Sequence, residues 1–77
     1  MIEAMQFVKV RRESNQMRFY RMHVEAGLFG EWALVREWGR IGSVGQAKTD
    51  WFSCEERAGD AARQLCEAKL KRGYMIA

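Results

Sequence analysis

Residues 32–52 read WALVREWGRIGSVGQAKTDWF, with glycines at every third position between two apolar segments. Residues 32–38 are rich in β-forming side chains and apolar on both sides, which predicts an inner strand. Residues 46–52 predict a further strand. Glycines supply the positive φ angles that consecutive tight turns require. The stretch therefore predicts two strands joined by a glycine-rich turn.

The glycine spacing departs from the common phosphate-binding motifs. A P-loop needs a Gly-Lys pair, which the chain lacks, and the dinucleotide fingerprint begins with glycines two apart rather than three. Residues 39–42 match the G-x-x-G clamp of KH domains, but that clamp joins two helices. Turn geometry explains the glycines but not Trp38 or Arg40. A tryptophan at a strand end is more often a core residue, and an arginine in a turn is more often solvated. Trp38 and Arg40 can therefore be such ordinary residues or members of a binding site, and both interpretations stay open.

Two further strands are predicted upstream, at residues 6–12 and 18–24, with a polar turn (ESNQ) between them at residues 13–16. The loop that follows contains the apolar pair Leu28 and Phe29. The second of these strands places three side chains on one face: Tyr20, Met22 and Val24.

One C-terminal helix completes the pattern. Ser53 and Glu56 match a capping box, and Gly73 stands where a helix C′ glycine is expected. Residues 74–76 are expected to fold back against the sheet. We predict an α+β fold in which a small antiparallel sheet of about four strands carries the helix across one face. The apolar stripe of the helix comprises Ala58, Ala61, Ala62, Leu65, Cys66, the aliphatic stem of Lys69, and Leu70.

Length and composition bound the function. The 77 residues, 48% of them hydrophobic, suit a single domain over residues 1–77. No apolar run is long enough to span a bilayer, and no signal peptide is indicated, so no membrane association is expected. Cys54 and Cys66 lack the spacing of a zinc site and favour a reduced, cytoplasmic setting.

The net charge of +3 is unevenly distributed. If the two basic segments meet in space, one side of the domain has a positive field suited to phosphate; ordinary solvated charges remain the alternative. The first segment contains Lys9, Arg11, Arg12, Arg18 and Arg21. The second contains Arg63, Lys69, Lys71 and Arg72.

Catalysis is not expected. His23 is the only histidine, and no serine or cysteine stands at a recognisable partner spacing. The helix N-terminus accounts for Glu55 and Glu56. We therefore predict no enzyme activity, no cofactor, no metal and no small-molecule substrate.

The assembled landmarks resemble the WGR domain family, above all its short, stand-alone bacterial members. They are Asn15 followed by RFYRMHV, then LFGEWALVREWGRIGSVGQ, a helix, and a closing KLKRGY. The similarity runs from about Phe7 to Tyr74, and the tripeptide Trp38-Gly39-Arg40 corresponds to the family name.

The resemblance implies a non-catalytic DNA-binding module. In poly(ADP-ribose) polymerases the WGR domain helps to recognise broken DNA and relays that state to the catalytic domain, a relay that we do not expect in this chain. The implied partner is DNA, at ends, nicks or 5′-phosphates, without sequence specificity. DNA against RNA stays open. The implied binding residues are Trp38 as a packing platform, Gly39, Arg40 and Asn15 as polar or phosphate contacts, and Lys69, Lys71 and Arg72 along the backbone.

A protein partner is the alternative function. Leu28, Phe29 and Trp51 would form an interaction surface if they are exposed, and would be ordinary core residues if they are not. The sequence leaves both possibilities open.

Overall fold

The computed structural model of the protein describes residues 4–77. The chain forms one five-stranded antiparallel sheet with a single long helix, which confirms the α+β prediction. The strand order is β4-β3-β2-β1-β5. The elements in chain order are β1 (Met5–Arg11), a 3-10 turn (Arg12–Ser14), β2 (Gln16–Ala26), β3 (Trp32–Arg40), β4 (Gln46–Phe52), α1 (Glu55–Lys71) and β5 (Met75–Ile76).

The sheet has one strand more than the predicted four. The additional strand, β5, pairs antiparallel with β1 through Phe7↔Ile76 and Val8↔Met75. This pairing confirms that residues 74–76 fold back against the sheet. Two residues are too short for a periodic pattern, so the sequence carried no strand signal there.

The hydrophobic core lies between α1 and one face of the sheet. Its small helix residues, Ala58 and Ala62, let α1 lie close to the strands. Leu70, predicted to join this stripe, is 44% exposed, since it lies about 100° around the helix from Lys69, which faces the sheet. The buried sheet residues of the core are Phe7, Tyr20, Met22, Val24 and Leu34, in agreement with the predicted face of β2.

The helix start differs from the predicted capping box. The N-cap residue is Cys54, in an extended conformation, and its side chain forms no capping hydrogen bond. Helical geometry begins one residue later than the Ser53–Glu56 motif requires, so the Ser53 hydroxyl is out of position to accept from the helix.

The helix end agrees with the prediction. Gly73 has a φ of 93°, and its N–H donates to the carbonyl of Leu70, while the N–H of Tyr74 donates to the carbonyl of Lys69. These two bonds define a Schellman motif. The motif turns the chain sharply and directs Tyr74 back onto the sheet.

The connection between β3 and β4 explains the glycine spacing. Gly45 has a φ of 76°, and a Cβ there would lie 2.3 Å from the carbonyl oxygen of Trp38. Gly39 differs, because its constraint is packing: an added Cβ would lie 2.7 Å from the Cα of Gly45. The glycines therefore let the two sides of the hairpin approach each other closely just beyond Trp38.

Across residues 4–77, α1 and the other described segments include no helix with the length and apolar character of a transmembrane span.

Candidate nucleic-acid interface

The register of β2 with β3 assembles the centre of the candidate site. Tyr20 stands directly opposite Trp38, and Arg18 stands opposite Arg40. Cross-strand partners share a face of the sheet, and Tyr20 belongs to the core. These four side chains therefore lie on the same face of the sheet as α1.

Trp38 is a half-buried platform. Its ring stacks on that of Tyr20 with 6.3 Å between centroids and 24° between planes. Tyr74 meets the other side of this cluster edge-on, 6.4 Å from Tyr20. Trp38 packs against the core yet also lines an open cleft. The indole is thus held in a fixed orientation while part of it remains available for contact.

Arg40 is fixed by neutral groups. Its guanidinium donates to the backbone carbonyl of Asn15 at 3.2 Å and to the Asn15 Oδ1 at 3.4 Å. Asn15 adopts a left-handed conformation with a φ of 53°, which turns its carbonyl toward Arg40. No carboxylate of residues 4–77 forms an ion pair with Arg40. The guanidinium is therefore held in place without a carboxylate counterion from the part of the chain that the structure describes.

Lys69 reaches the aromatic cluster from the last turns of α1. Its Nζ lies 4.3 Å from the centroid of the Tyr20 ring and 5.3 Å from that of Tyr74. Both distances fit cation–π contacts. The ammonium group is therefore held above the same rings that support Trp38.

Burial lowers the pKa of Lys69 below its ordinary value because desolvation disfavours the charged form. Neighbouring positive charges lower the pKa of Lys69 further: Arg72 from the second basic segment, Arg36 from β3, and Arg18 and Lys9 from the first segment. The two segments therefore meet in space, as the charge distribution suggested. The neighbouring positive charges that disfavour the proton on Lys69 also favour the binding of an anion at this site.

We call the surface formed by Lys9, Arg18, Arg40, Lys69 and Arg72 the cationic face. The chain around Gly73 closes one side of it. Lys9 lies with its Nζ 5.7 Å from the centroid of Tyr74. A Cβ on Gly73 would lie 3.0 Å from a guanidinium nitrogen of Arg11. β1 and the end of α1 thus contribute cations to one continuous surface.

Three predicted or neighbouring cations do not contribute free charge here. Lys71 is two residues beyond Lys69, about 200° around the helix, and so points away from the sheet. Arg36 lies 5.8 Å from the Trp38 ring but pairs with Asp50 at 2.9 Å. Arg21 faces the opposite side of the sheet, 3.6 Å from a Glu37 carboxylate oxygen. The cationic face therefore contains fewer of the basic residues than the two segments of the sequence suggested.

A cleft of about 480 Å³ opens beside Trp38. Its walls include four of the seven predicted binding residues: Asn15, Trp38, Gly39 and Arg40. Arg18 and Tyr74 also line it. Lys69, Lys71 and Arg72 do not line the cleft. Lys69 contacts the rings of Tyr20 and Tyr74 beside it, and Arg72 is a positive neighbour of Lys69.

Sequence reasoning missed Arg18, Lys9, Tyr20 and Tyr74 as site residues. Arg18 would follow from placing Arg40 opposite it, which needs the hairpin register rather than the motif alone. Tyr20 was recognised as a core side chain, and its second role depends on the stack with Trp38. The Schellman motif, recognised only as a helix end, is what carries Tyr74 to the cleft.

An apolar patch lies at the other end of the sheet. Leu28 is 91% exposed, Phe29 89% and Trp51 60%. Together with Glu31 they line an open groove of about 420 Å³. The three apolar residues are therefore surface residues, which resolves the alternative that the sequence left open.

Within residues 4–77 no group of three or more His, Cys, Asp or Glu side chains is arranged to hold a metal ion.

Comparison with known proteins agrees with the fold. The profile of the WGR domain family matches residues 3–77. The uncharacterized protein y4dW of Sinorhizobium fredii is 45% identical over 60 residues, which cover 78% of this chain and 29% of that protein. A crystal structure of a Bacteroides fragilis protein superimposes with a TM-score of 0.81 at 24% identity, covering 97% of this chain and 19% of that one. The chain thus spans less than a third of either relative.

Proposed function

This chain belongs to the WGR domain family, whose members are generally nucleic-acid-binding modules, and we propose that it binds DNA at ends, nicks or 5′-phosphates without reading sequence. The observation that carries the proposal is the uncompensated cationic face around Trp38. A fixed indole, a fixed guanidinium and a desolvated ammonium converge there, and none of the three has a carboxylate partner among the described residues.

The groups suit a nucleic-acid backbone. Arg40 and Arg18 offer planar donors that match phosphate oxygens, and Lys69 adds a point charge. The part of the Trp38 indole that remains available offers an apolar contact to a sugar or base. Such contacts position a strand but carry no sequence information. We do not expect α1 to read the base sequence as a recognition helix, because its apolar face covers the sheet.

A preference for interrupted strands follows from the shape of the site. The cleft is a concave pocket beside a half-buried ring rather than a long open groove. A sugar or base can enter such a pocket where the strand ends, since continuous stacking would otherwise hold it in the duplex. We therefore propose that a terminal nucleotide contacts Trp38 while its phosphate faces Arg40.

The test compares nicked and continuous duplexes of the same sequence at several salt concentrations. We expect the wild type to bind the nicked duplex more tightly. Trp38→Ala should remove most of that preference, and Arg40→Ala should weaken binding by about tenfold, since a hydrogen bond to a charged group contributes about 1.5–3 kcal/mol.

Phe29→Ala and Arg57→Ala serve as matched controls, because both side chains are exposed and lie outside the cleft. Both should bind like the wild type. Equal and negligible binding of the two duplexes at low salt would refute the proposal. Equal but strong binding would leave a DNA-binding module without the proposed preference for ends and nicks.

A second candidate function, protein interaction, is favoured by one observation. Leu28, Phe29 and Trp51 expose a joined apolar patch far from the cleft, and such patches mark interaction sites. Capture of partners from a nuclease-treated lysate tests it, since a DNA-bridged partner is lost and a direct one is retained. Loss of every partner after nuclease treatment would count against this function.

A further inference from the structure

β4 presents a regular, unpaired edge. It is an outer strand of the sheet, paired with β3 on one side only. The β3 pairing runs without a bulge through seven consecutive residue pairs, from Trp32↔Phe52 to Trp38↔Gln46. The strand contains neither proline nor glycine. Proline, bulges, short length and charged side chains are devices that normally prevent edge-to-edge pairing. β4 has none of the first three, and its two charged side chains, Lys48 and Asp50, are opposite in sign.

We propose that β4 pairs with β4 of a second copy of this chain, antiparallel, around a two-fold axis at Thr49. This register is the one that pairs all seven residues of one strand with all seven of the other. It places Thr49 opposite Thr49 of the second copy. The result is a continuous ten-stranded sheet, five strands from each copy, with an isologous interface.

The charges of β4 are self-complementary in this register. Lys48 of each copy stands opposite Asp50 of the other. Asp50 pairs with Arg36 of its own copy through Oδ2 at 2.9 Å, so Lys48 of the other copy pairs with the Oδ1, which gives two ion pairs across the interface. Lys48 and Asp50 share a face, and both are partly exposed, at 61% and 33% of their side chains. Shifting the register by two residues places Lys48 opposite Lys48, or Asp50 opposite Asp50, and like charges directly opposite are destabilising. Charge therefore selects the register that also gives the longest overlap.

The side chains on the other face are complementary in size. Trp51 of one copy stands opposite Ala47 of the other, so the smallest side chain of β4 faces the largest. Beyond this pair, the loop that carries Leu28 and Phe29 lies next to the partner's β3–β4 connection. Val44 in that connection is 93% exposed. The pairing thus covers the exposed apolar side chains at both ends of the strand.

The arrangement has a consequence for the cationic face. A two-fold axis perpendicular to the sheet keeps both helices on the same side, so both clefts open toward that side. Each cleft lies near the Gln46 end of its own β4, and the two ends point in opposite directions. The dimer itself does not depend on nucleic-acid binding, and it is tested without DNA.

Sedimentation velocity of the full chain, from about 1 μM to about 500 μM, tests the proposal. We expect a concentration-dependent monomer–dimer equilibrium. Thr49→Arg and Thr49→Glu should each weaken the dimer by about fivefold, because residue 49 meets its own copy and like charges then face each other. An equal mixture of the two variants should associate about tenfold more tightly than either alone, since the introduced guanidinium then faces the introduced carboxylate across the axis.

Gln64→Arg and Gln64→Glu are the matched controls, because Gln64 is exposed on the outer surface of α1. They should dimerise like the wild type. A wild type that stays monomeric throughout overturns the proposal. A mixture that associates no better than the separate Thr49 variants also overturns it, because the register is then wrong. Circular dichroism of every variant confirms that the monomer is folded.

Discussion

Gly45 has two independent reasons to lack a side chain. Its φ of 76° is unfavourable for other residues, and a Cβ would collide with the carbonyl oxygen of Trp38. Gly42 has a similar φ of 94°, but among residues 4–77, its two chain neighbours apart, no heavy atom lies within 4 Å of its Cβ position. A comparison of the two glycines therefore distinguishes the effect of backbone conformation on stability from the effect of steric crowding, within one hairpin.

We expect Gly45→Ala to lower the free energy of unfolding by about 2–4 kcal/mol, because strain and steric overlap add. Gly42→Ala should lower it by about 1 kcal/mol from strain alone. Urea denaturation measures both. Similar losses for the two variants would show that the close approach to Trp38 contributes little.

Lys69 links the proposed function to pH. Its pKa in the free protein is lowered by burial and by neighbouring cations, and a bound phosphate would raise it again. Binding therefore takes up a proton when Lys69 is partly deprotonated. The contribution of Lys69 to the affinity is complete below its pKa in the free protein, and it is lost as the pH rises from that value through the higher pKa of Lys69 in the complex.

We expect wild-type affinity for nicked DNA to fall as the pH rises toward about 10, the ordinary lysine value, because the pKa of Lys69 lies below that value. Lys69→Arg should show a flatter profile, because its guanidinium stays protonated throughout this range. Fluorescence anisotropy with labelled DNA gives both curves. Parallel profiles for the two proteins would place the titration on another group.

At the scale of elements, the helix shows what local sequence signals decide. The capping box was a reasonable prediction from Ser53 and Glu56, but tertiary packing of α1 on the sheet shifts its first turn by one residue. The C-terminal signal at Gly73 was correct because a positive φ there has few alternatives. A side-chain cap contributes only about 1 kcal/mol, so packing overrides it.

The shifted start makes a testable distinction. Cys54→Ser should raise the free energy of unfolding by about 0.5–1 kcal/mol, because a hydroxyl at the N-cap accepts from the orphan N–H groups of the first turn. Ser53→Ala should change it by less than that. Thermal denaturation compares them. A larger effect of Ser53→Ala would restore the capping box that the sequence suggested.

The strands were predictable for a different reason. Alternation in β2 and the apolar run in β3 reflect burial against α1, which is a strong and periodic signal. The register between them was not predictable, because it depends on the geometry of two turns. The pairs Tyr20–Trp38 and Arg18–Arg40, and hence the centre of the site, therefore emerged only with the structure.

At the scale of the whole molecule, the core and the cationic face share one side of the sheet. Sequence composition indicated two basic segments but could not tell which members face the same way. Lys69 and Lys71 show the difference, since they are two residues apart and only Lys69 reaches the aromatic cluster. A lysine of α1 therefore belongs to the site because of the direction in which it points around the helix, and not because it adds to the net charge.

This difference predicts distinct salt dependences. Lys69→Gln should reduce the slope of log affinity against log salt concentration by about 0.9, the value of one phosphate contact on duplex DNA. Lys71→Gln should leave the slope unchanged while altering the net charge equally. Anisotropy titrations at several salt concentrations measure both slopes. Equal slopes for the two variants would mean that long-range charge alone governs binding.

The stack of Trp38 on Tyr20 gives the cleft an optical reporter of its own. Indole emission responds to nearby charge and to exclusion of solvent, and Trp38 lies within 5.8 Å of the Arg36 guanidinium. Trp32 and Trp51 lie toward the opposite end of β3 and β4, so an occupant of the cleft changes the surroundings of one fluorophore in three. Occupancy could then be followed by emission from the unlabelled chain.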